Sequence, residues 1–243
     1  MTEFLRQISI GAILFVMAFI FFLLPHSCEG KEINVLIVDT GVDLSHLEIK
    51  KHVKDSPGYN YEDSMYHGTH IAGLILKDVC NQVIMQSCRY VEKRIPDYKE
   101  SEAIKDSVKC FQLALKKHFD LINYSSGGIE PSIEEYVVLK EISDLGTKIV
   151  VAAGNNGMDL SQKGNDYFPA KYHIVNLIPI GNLLKDGRRN ITSNYGLYNM
   201  KWMQGTEIYS TFPNNLFGYM SGTSQAAANY SNMLLKQMCE NLK

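Results

Sequence analysis

Three short apolar runs, each broken off by small or polar residues, set the strongest limit on what this chain can fold into. Ile33-Asn-Val-Leu-Ile-Val38 ends in Asp39-Thr-Gly, Asp120-Leu-Ile-Asn-Tyr-Ser125 runs into Ser126-Gly-Gly128, and Lys148-Ile-Val-Val-Ala-Ala153 breaks at Gly154-Asn-Asn-Gly157. Runs this apolar and β-branched, with no polar alternation, describe strands buried on both faces, as in a parallel sheet. Helical patterns lie between them. From Ser101, the expected cap, Ile104, Val108, Phe111 and Leu115 recur along one helical face. Pro131-Ser132 opens a second helix bearing Ile133, Tyr136, Val137 and the 139–142 apolar stretch, and Gly146 closes it. Tyr66-His-Gly-Thr-His-Ile-Ala-Gly-Leu-Ile-Leu76 reads as a turn opening a buried helix, and Val83-Ile-Met, Ile174 to Ile180 and Thr206 to Thr211 are further strand candidates. This alternation predicts an α/β fold of three layers, a mostly parallel sheet with helices on both faces. In such sheets chemistry gathers beyond the carboxyl ends of the strands, where Asp39, Ser125 and Asn155 all stand.

A different segment precedes this pattern. Ile8 to Leu24 is almost unbroken apolar sequence, 17 residues flanked by Arg6 and Pro25. That length suits either a signal peptide or a signal anchor over residues 1–30, an N-terminal hydrophobic helix in both cases. Lipid modification at Cys28 is a further reading. Residues 31–243 then form the working domain, expected to be exported and either secreted or held at the membrane by that segment. A net charge of −2, with no basic run interleaved with aromatics, argues against nucleic acid as a partner. The five cysteines show no C-x-x-C spacing, which argues against a zinc ribbon or thioredoxin-type motif. With Cys28 set aside, Cys80, Cys88, Cys110 and Cys239 can pair in three ways, among which the sequence does not choose.

Near the C-terminus, Phe217-Gly-Tyr-Met-Ser-Gly-Thr-Ser-Gln-Ala-Ala-Ala228 places Ser224 where a tight turn hands over to a helix. A helix N-terminus offers unpaired N–H groups and positive partial charge, which suits an oxyanion forming beside a serine nucleophile. The plain alternative is that Ser224 merely caps the helix. A base, an orienting acid and an oxyanion donor are needed to decide between the two, and His67, Asp39 and Asn155 are candidates for them.

In this order the segments resemble the motifs of the subtilisin-like serine proteases, the subtilases. Val35-Leu-Ile-Val-Asp-Thr-Gly-Val-Asp43 with Ser45-His46 is similar to the family's acid motif, His67-Gly-Thr-His-Ile-Ala-Gly73 to its histidine motif, and Gly222-Thr-Ser-Gln-Ala-Ala227 to its serine motif. Ile122-Asn-Tyr-Ser-Ser-Gly-Gly128 and Val151-Ala-Ala-Gly-Asn155 resemble its substrate strand and oxyanion segment. The resemblance implies a three-layer subtilisin-like fold and a serine endopeptidase without cofactor or metal. It implies Ser224 as nucleophile, His67 as general base, Asp39 as the acid that orients His67, and Asn155 as oxyanion donor. Ser125, Ser126 and Gly127 would pair with an extended polypeptide substrate, and Ala152, Ala153 and Gly154 would line the other wall of the pocket. His70 stands three residues after His67 but lacks the glutamate of a zinc-protease helix, so it reads as a packed helix residue. His46, His52, His118 and His173 read as structural or surface residues.

The chain also departs from that pattern. Eight residues, 31–38, separate Gly30 from Asp39, too few for the usual propeptide. Ala226-Ala-Ala-Asn229 stands where relatives have a proline, and Met203-Gln-Gly205 where they have Ala-Pro-Gly. These reductions leave a second expectation open, a subtilase-like protein that binds peptides with weak or no turnover. A peptidase of the paired-aspartate type, built on Asp39-Thr-Gly, would need a second such motif or a dimer.

Overall fold

The computed structural model describes residues 31–53, 62, 63, 65–90 and 99–242. The expected signal or anchor segment lies outside them, and among the described residues no helix is long and apolar enough to cross a membrane. The chain divides into a unit of Met1–Lys31 and one of Glu32–Lys243, and the fold is that of the second.

Strand β1 (Ile33–Asp39) has apolar side chains for both of its faces, and both are buried. Val35 and Ile37 enter one core, Leu36 and Val38 the other. It pairs on one side with β2 (Val83–Arg89) and on the other with β3 (Leu121–Tyr124). The sheet continues through β4 (Lys148–Ala152), β5 (Leu177–Leu183) and β6 (Lys201–Gln204). Among the described residues its six strands run in the order β2-β1-β3-β4-β5-β6, all parallel. A separate antiparallel ribbon joins β7 (Ile208–Phe212) to β8 (Leu216–Met220).

Helix α1 (His67–Ile75) and helix α4 (Thr223–Glu240) pack on the Val35 face through Ile71, Ile75, Ala226, Ala227 and Leu235. Helices α2 (Glu100–Lys116) and α3 (Ile133–Asp144) cover the Leu36 face through Phe111, Ala114, Leu139 and Ile142. This is the three-layer α/β arrangement expected from the alternation. The β1-α1-β2 and β3-α3-β4 crossovers lie on opposite faces and step in opposite directions, so both have the same hand, as strand twist requires. The direction reverses between β1 and β3, the switch point at which sheets of this kind form a crevice beyond the carboxyl ends of their strands.

Several boundaries differ from expectation for local reasons. Helix α2 begins at Glu100 with Lys99 in the cap position, so Ser101 lies inside the first turn. Glu100 and Glu102 in that turn complement the helix dipole without a hydroxyl cap. Strand β5 starts at Leu177 and not Ile174, because the backbone over 172–177 is taken by turns, Ile174 N–H to Tyr172 O and Leu177 N–H to Ile174 O. Helix α3 follows expectation: Ser132 Oγ accepts from Glu135 N–H at 3.1 Å, and Gly146 adopts φ +93° beyond its end.

The cysteines pair as Cys80–Cys239 and Cys88–Cys110. The first bond joins the segment after α1 to the last turn of α4 and spans 159 residues. Because a cross-link over so long a loop removes much unfolded-state entropy, the paired Cys80→Ser, Cys239→Ser variant is expected to lose about 2–5 kcal/mol of stability. Urea unfolding of variant and parent measures it, and a loss below about 0.5 kcal/mol would show that packing alone holds the two helices.

Candidate active site

The site is assembled at the crevice by the strand register. Val38 is level with Tyr124 and Tyr124 with Val151. The residues that follow, Asp39, Ser125 and Ala152, therefore reach the carboxyl edge of three adjacent strands together.

Asp39 is 2% exposed at the end of β1. Its Oδ1 accepts from Thr40 N–H at 2.8 Å and from the His67 imidazole at 2.7 Å, while Oδ2 is buried with no partner among the described residues. His67 is the first residue of α1. It can sit there because Gly68 presses on the loop after β1, where an added Cβ would lie 1.9 Å from the Gly41 carbonyl oxygen. With its proton on Nδ1 facing the carboxylate, the neutral ring turns a lone pair outward at Nε2, the atom a general base needs.

The sequence reading missed Asp63. Its carboxylate accepts from Thr69 N–H at 2.8 Å, Met65 N–H at 3.2 Å and the Thr40 hydroxyl at 2.8 Å, while Thr40 Oγ1 accepts from Gly68 N–H at 2.9 Å. An acidic residue just ahead of a helix start was the available signal. Asp63 caps α1 and ties it to the β1 end, fixing the Asp39–His67 pair. Burial pulls the His67 pKa down, but the charge and hydrogen bond of Asp39, with the charge of Asp63, more than reverse this and raise it above 6.5. For a base that works unprotonated, the acid limb of kcat/KM is therefore expected above pH 6.5. Removing one of the negative charges in Asp63→Asn should move that limb to lower pH, and a shift to higher pH would contradict the assignment.

Ser224 is the second residue of α4 and 9% exposed. Its hydroxyl does not cap the helix. Oγ donates to the Ser125 carbonyl at 3.1 Å, and Ser125 Oγ donates back to the Ser224 carbonyl at 3.2 Å. Among the described residues Ser224 makes no hydrogen bond to His67. Buried Asn123 extends the lacing, its Nδ2 donating to Ser125 Oγ at 2.9 Å and its Oδ1 accepting from Ser231 at 2.9 Å. These bonds pin the start of α4 to the end of β3.

Asn155 follows the turn at Gly154. Its Oδ1 accepts from the Thr223 N–H at 2.9 Å and the Thr223 hydroxyl at 3.2 Å. A backbone N–H can only be met by the amide oxygen, so Nδ2 is the donor, and among the described residues it makes no hydrogen bond. Asn194, which no sequence signal marked, holds the loop: its Nδ2 donates to Ala153 O, and its Oδ1 accepts from the N–H groups of Asn156 and Met158. Ser126 accepts from the Tyr90 hydroxyl, and Gly128 exchanges two backbone hydrogen bonds with Phe168. Ala152, Ala153 and Gly154 form the facing, buried edge.

His70 is fully buried, with Nε2–H donating to Ile208 O at 3.1 Å and burial lowering its pKa to about 4. It stays neutral and structural. Buried His52 likewise binds Val83 O through Nδ1. Among the described residues, no group of His, Cys, Asp or Glu side chains is placed to hold a metal ion.

The sequence matches the model of the subtilase family over residues 30–241. It is 30% identical over 210 residues to the thermophilic serine proteinase of Bacillus sp. (strain AK1), an alignment covering 82% of this chain and 50% of that protein. It is 28% identical over 219 residues to the major intracellular serine protease of Bacillus subtilis (strain 168), covering 85% and 68%. The chain thus spans half the length of the first relative and about two thirds of the second. Among solved structures, the self-cleaved protease domain of PatA superposes with a TM-score of 0.72 at 21% identity, covering 88% of this chain and 83% of that one. The prenylagaramide maturation protease PagA gives 0.72 at 19%, covering 86% and 76%. The fold is shared with these structures, and the motif segments around Asp39, His67 and Ser224 fall within the family match: the chain belongs to the subtilase family of serine proteases.

Proposed function

We propose that the protein is a serine endopeptidase acting through Asp39, His67, Ser224 and Asn155. The observation that carries this is the 2.7 Å bond from His67 Nδ1 to the buried Asp39 carboxylate, in the same crevice edge that meets the N-terminus of α4. Ser224 turns its hydroxyl from the Ser125 carbonyl to His67 Nε2 when substrate enters, since catalytic hydrogen bonds commonly tighten only in the substrate complex. Oγ attacks the scissile carbonyl carbon and its proton passes to Nε2. The oxyanion is met by Asn155 Nδ2 and the unpaired N–H of α4's first turn. His67 then returns the proton to the leaving amine, and water repeats the cycle on the acyl-enzyme. Backbone groups of Ser125, Ser126 and Gly127 pair with an extended polypeptide, by strand addition.

The decisive experiment is labelling with an alkyl fluorophosphonate. Wild type should label and hydrolyse a denatured protein substrate, and Ser224→Ala should do neither. A second reading, a peptide-binding subtilase-like protein, is favoured by the bond that Ser224 makes to Ser125. Peptide binding without labelling would select it. Export of the chain is part of the proposal, and its support is the pair of disulfides, which persist in oxidising compartments.

A further inference from the structure

The side chain of the residue whose carbonyl is attacked must enter the space beside Ser224. Contacts at the nucleophile bound that space: on one side Ser125, whose carbonyl meets Ser224 Oγ, on the other Gly154 and Asn155, which bind Thr223. The two walls continue as 125–128 and 152–155. One ring stands between them. A Cβ added to Gly127 would lie 2.7 Å from Tyr167 Cε1 and 3.0 Å from Cζ, and one added to Gly154 would lie 2.9 Å from Cδ2 and from Cε2 of the same ring. Opposite edges of Tyr167 therefore press on the bare backbones of both walls, which are separated by about the width of a phenol.

The ring is held there. The next residue, Phe168, exchanges two backbone hydrogen bonds with Gly128 at 2.7 and 2.9 Å, and the Tyr167 carbonyl accepts from Lys171 N–H at 3.0 Å. Behind the 126–128 wall, Glu100 occupies the space a Cβ of Gly128 would need and binds Glu130 N–H at 2.8 Å. The cavity remaining there, lined by Glu100, Tyr124, Glu135 and Phe168, is about 30 Å³, which accommodates a water and not a side chain. Burial and the Glu100 charge push the Tyr167 phenol up to about 12, so the ring stays neutral.

We infer that Tyr167 plugs the specificity pocket, and that the protease acts on polypeptides with a residue no larger than alanine immediately before the scissile bond. The inference rests on Ser224 being the nucleophile. Close-packed walls give by tenths of an ångström and not by a ring's width, so a larger side chain has to displace Tyr167 from its partners.

The test uses the full-length chain and two measurements. An alkyl fluorophosphonate, which has no side chain to seat, reads Ser224 by itself. A series of peptide amides differing only in Gly, Ala, Leu, Phe or Lys before the scissile bond reads the pocket. The Ala substrate should exceed the Phe substrate in kcat/KM by about 100-fold or more. Tyr167→Ala should raise the Phe-to-Ala ratio by at least about tenfold. Wild type that labels yet accepts Phe as well as Ala overturns the role of Tyr167 and leaves the nucleophile standing, as does a folded variant with an unchanged ratio. A chain that neither labels nor cleaves overturns Ser224, and the pocket with it. Where Tyr167→Ala does not fold, the wild-type ranking decides.

Discussion

His67→Ala is expected to lower kcat by about 10⁶-fold, and adding Ser224→Ala to that variant to cost almost nothing more. The reason is that in the proposed mechanism the two side chains perform one act. Without the imidazole no group takes the Oγ proton, and a serine hydroxyl is inert at its own pKa. Without Oγ the imidazole has nothing to deprotonate. What the proposal leaves in either variant is the oxyanion donor set, Asn155 Nδ2 with the α4 N-terminus, which can still polarise a bound carbonyl for attack by water. Rates of the two single variants and the double variant, on one peptide amide, measure the coupling. Independent losses that multiply would mean that His67 and Ser224 do not share a step, and the proposed mechanism would fall.

Asp39→Asn should be the next most damaging change, at about 10⁴-fold in kcat with KM little altered. The size follows from a proton position. Asp39 Oδ1 already accepts from Thr40 N–H, and its bond to His67 at 2.7 Å fixes hydrogen on Nδ1. An asparagine whose oxygen keeps the Thr40 N–H bond leaves the imidazolium without its stabilising charge, and one that turns its amide NH₂ toward the ring gives up that bond and places hydrogen on Nε2, where it faces Ser224 as a second donor. Packing is little disturbed, so unchanged unfolding stability gives the control, and fluorophosphonate labelling should slow along with hydrolysis. The loss should shrink at high pH, where hydroxide can take over as base, and a variant as active as wild type would show Asp39 to be a strand-end residue only.

Much of the arrangement was legible because it depends on local chemistry. The apolar runs around Val35, Ile122 and Val150 could only be buried strands, and the breaks after them marked the edge at which the site lies. Ser132 and Gly146 wrote the ends of α3 in cap chemistry. Other features were decided by contacts between segments far apart in the chain. Lys201-Trp-Met-Gln204 carries no continuous apolar run, and it becomes strand β6 by pairing with β5 at the sheet's edge. Asn194 looks like an ordinary polar surface residue until the loop it holds is seen, and Asp63 shows in the sequence only as an acid ahead of a helix start. The disulfide partners were undetermined for the same reason, since spacing says nothing of which helix lies beside which strand. Tyr167 belongs to none of the motifs, and only its position between Gly127 and Gly154 singles it out.

The pairing of β1 has a kinetic consequence. Ile33 finds its partner at Val83 and Val35 at Leu121, so no hairpin can form early at this end of the domain. A chain emerging from the ribosome shows an unpaired apolar strand until residue 89 has appeared and one open edge of it until residue 124 has, and loop closure must be endured before either ladder rewards it. Folding of such a sheet is slow, and its nascent form is sticky. The same strand that anchors Asp39 is therefore the segment whose apolar faces stay uncovered while the chain is being made.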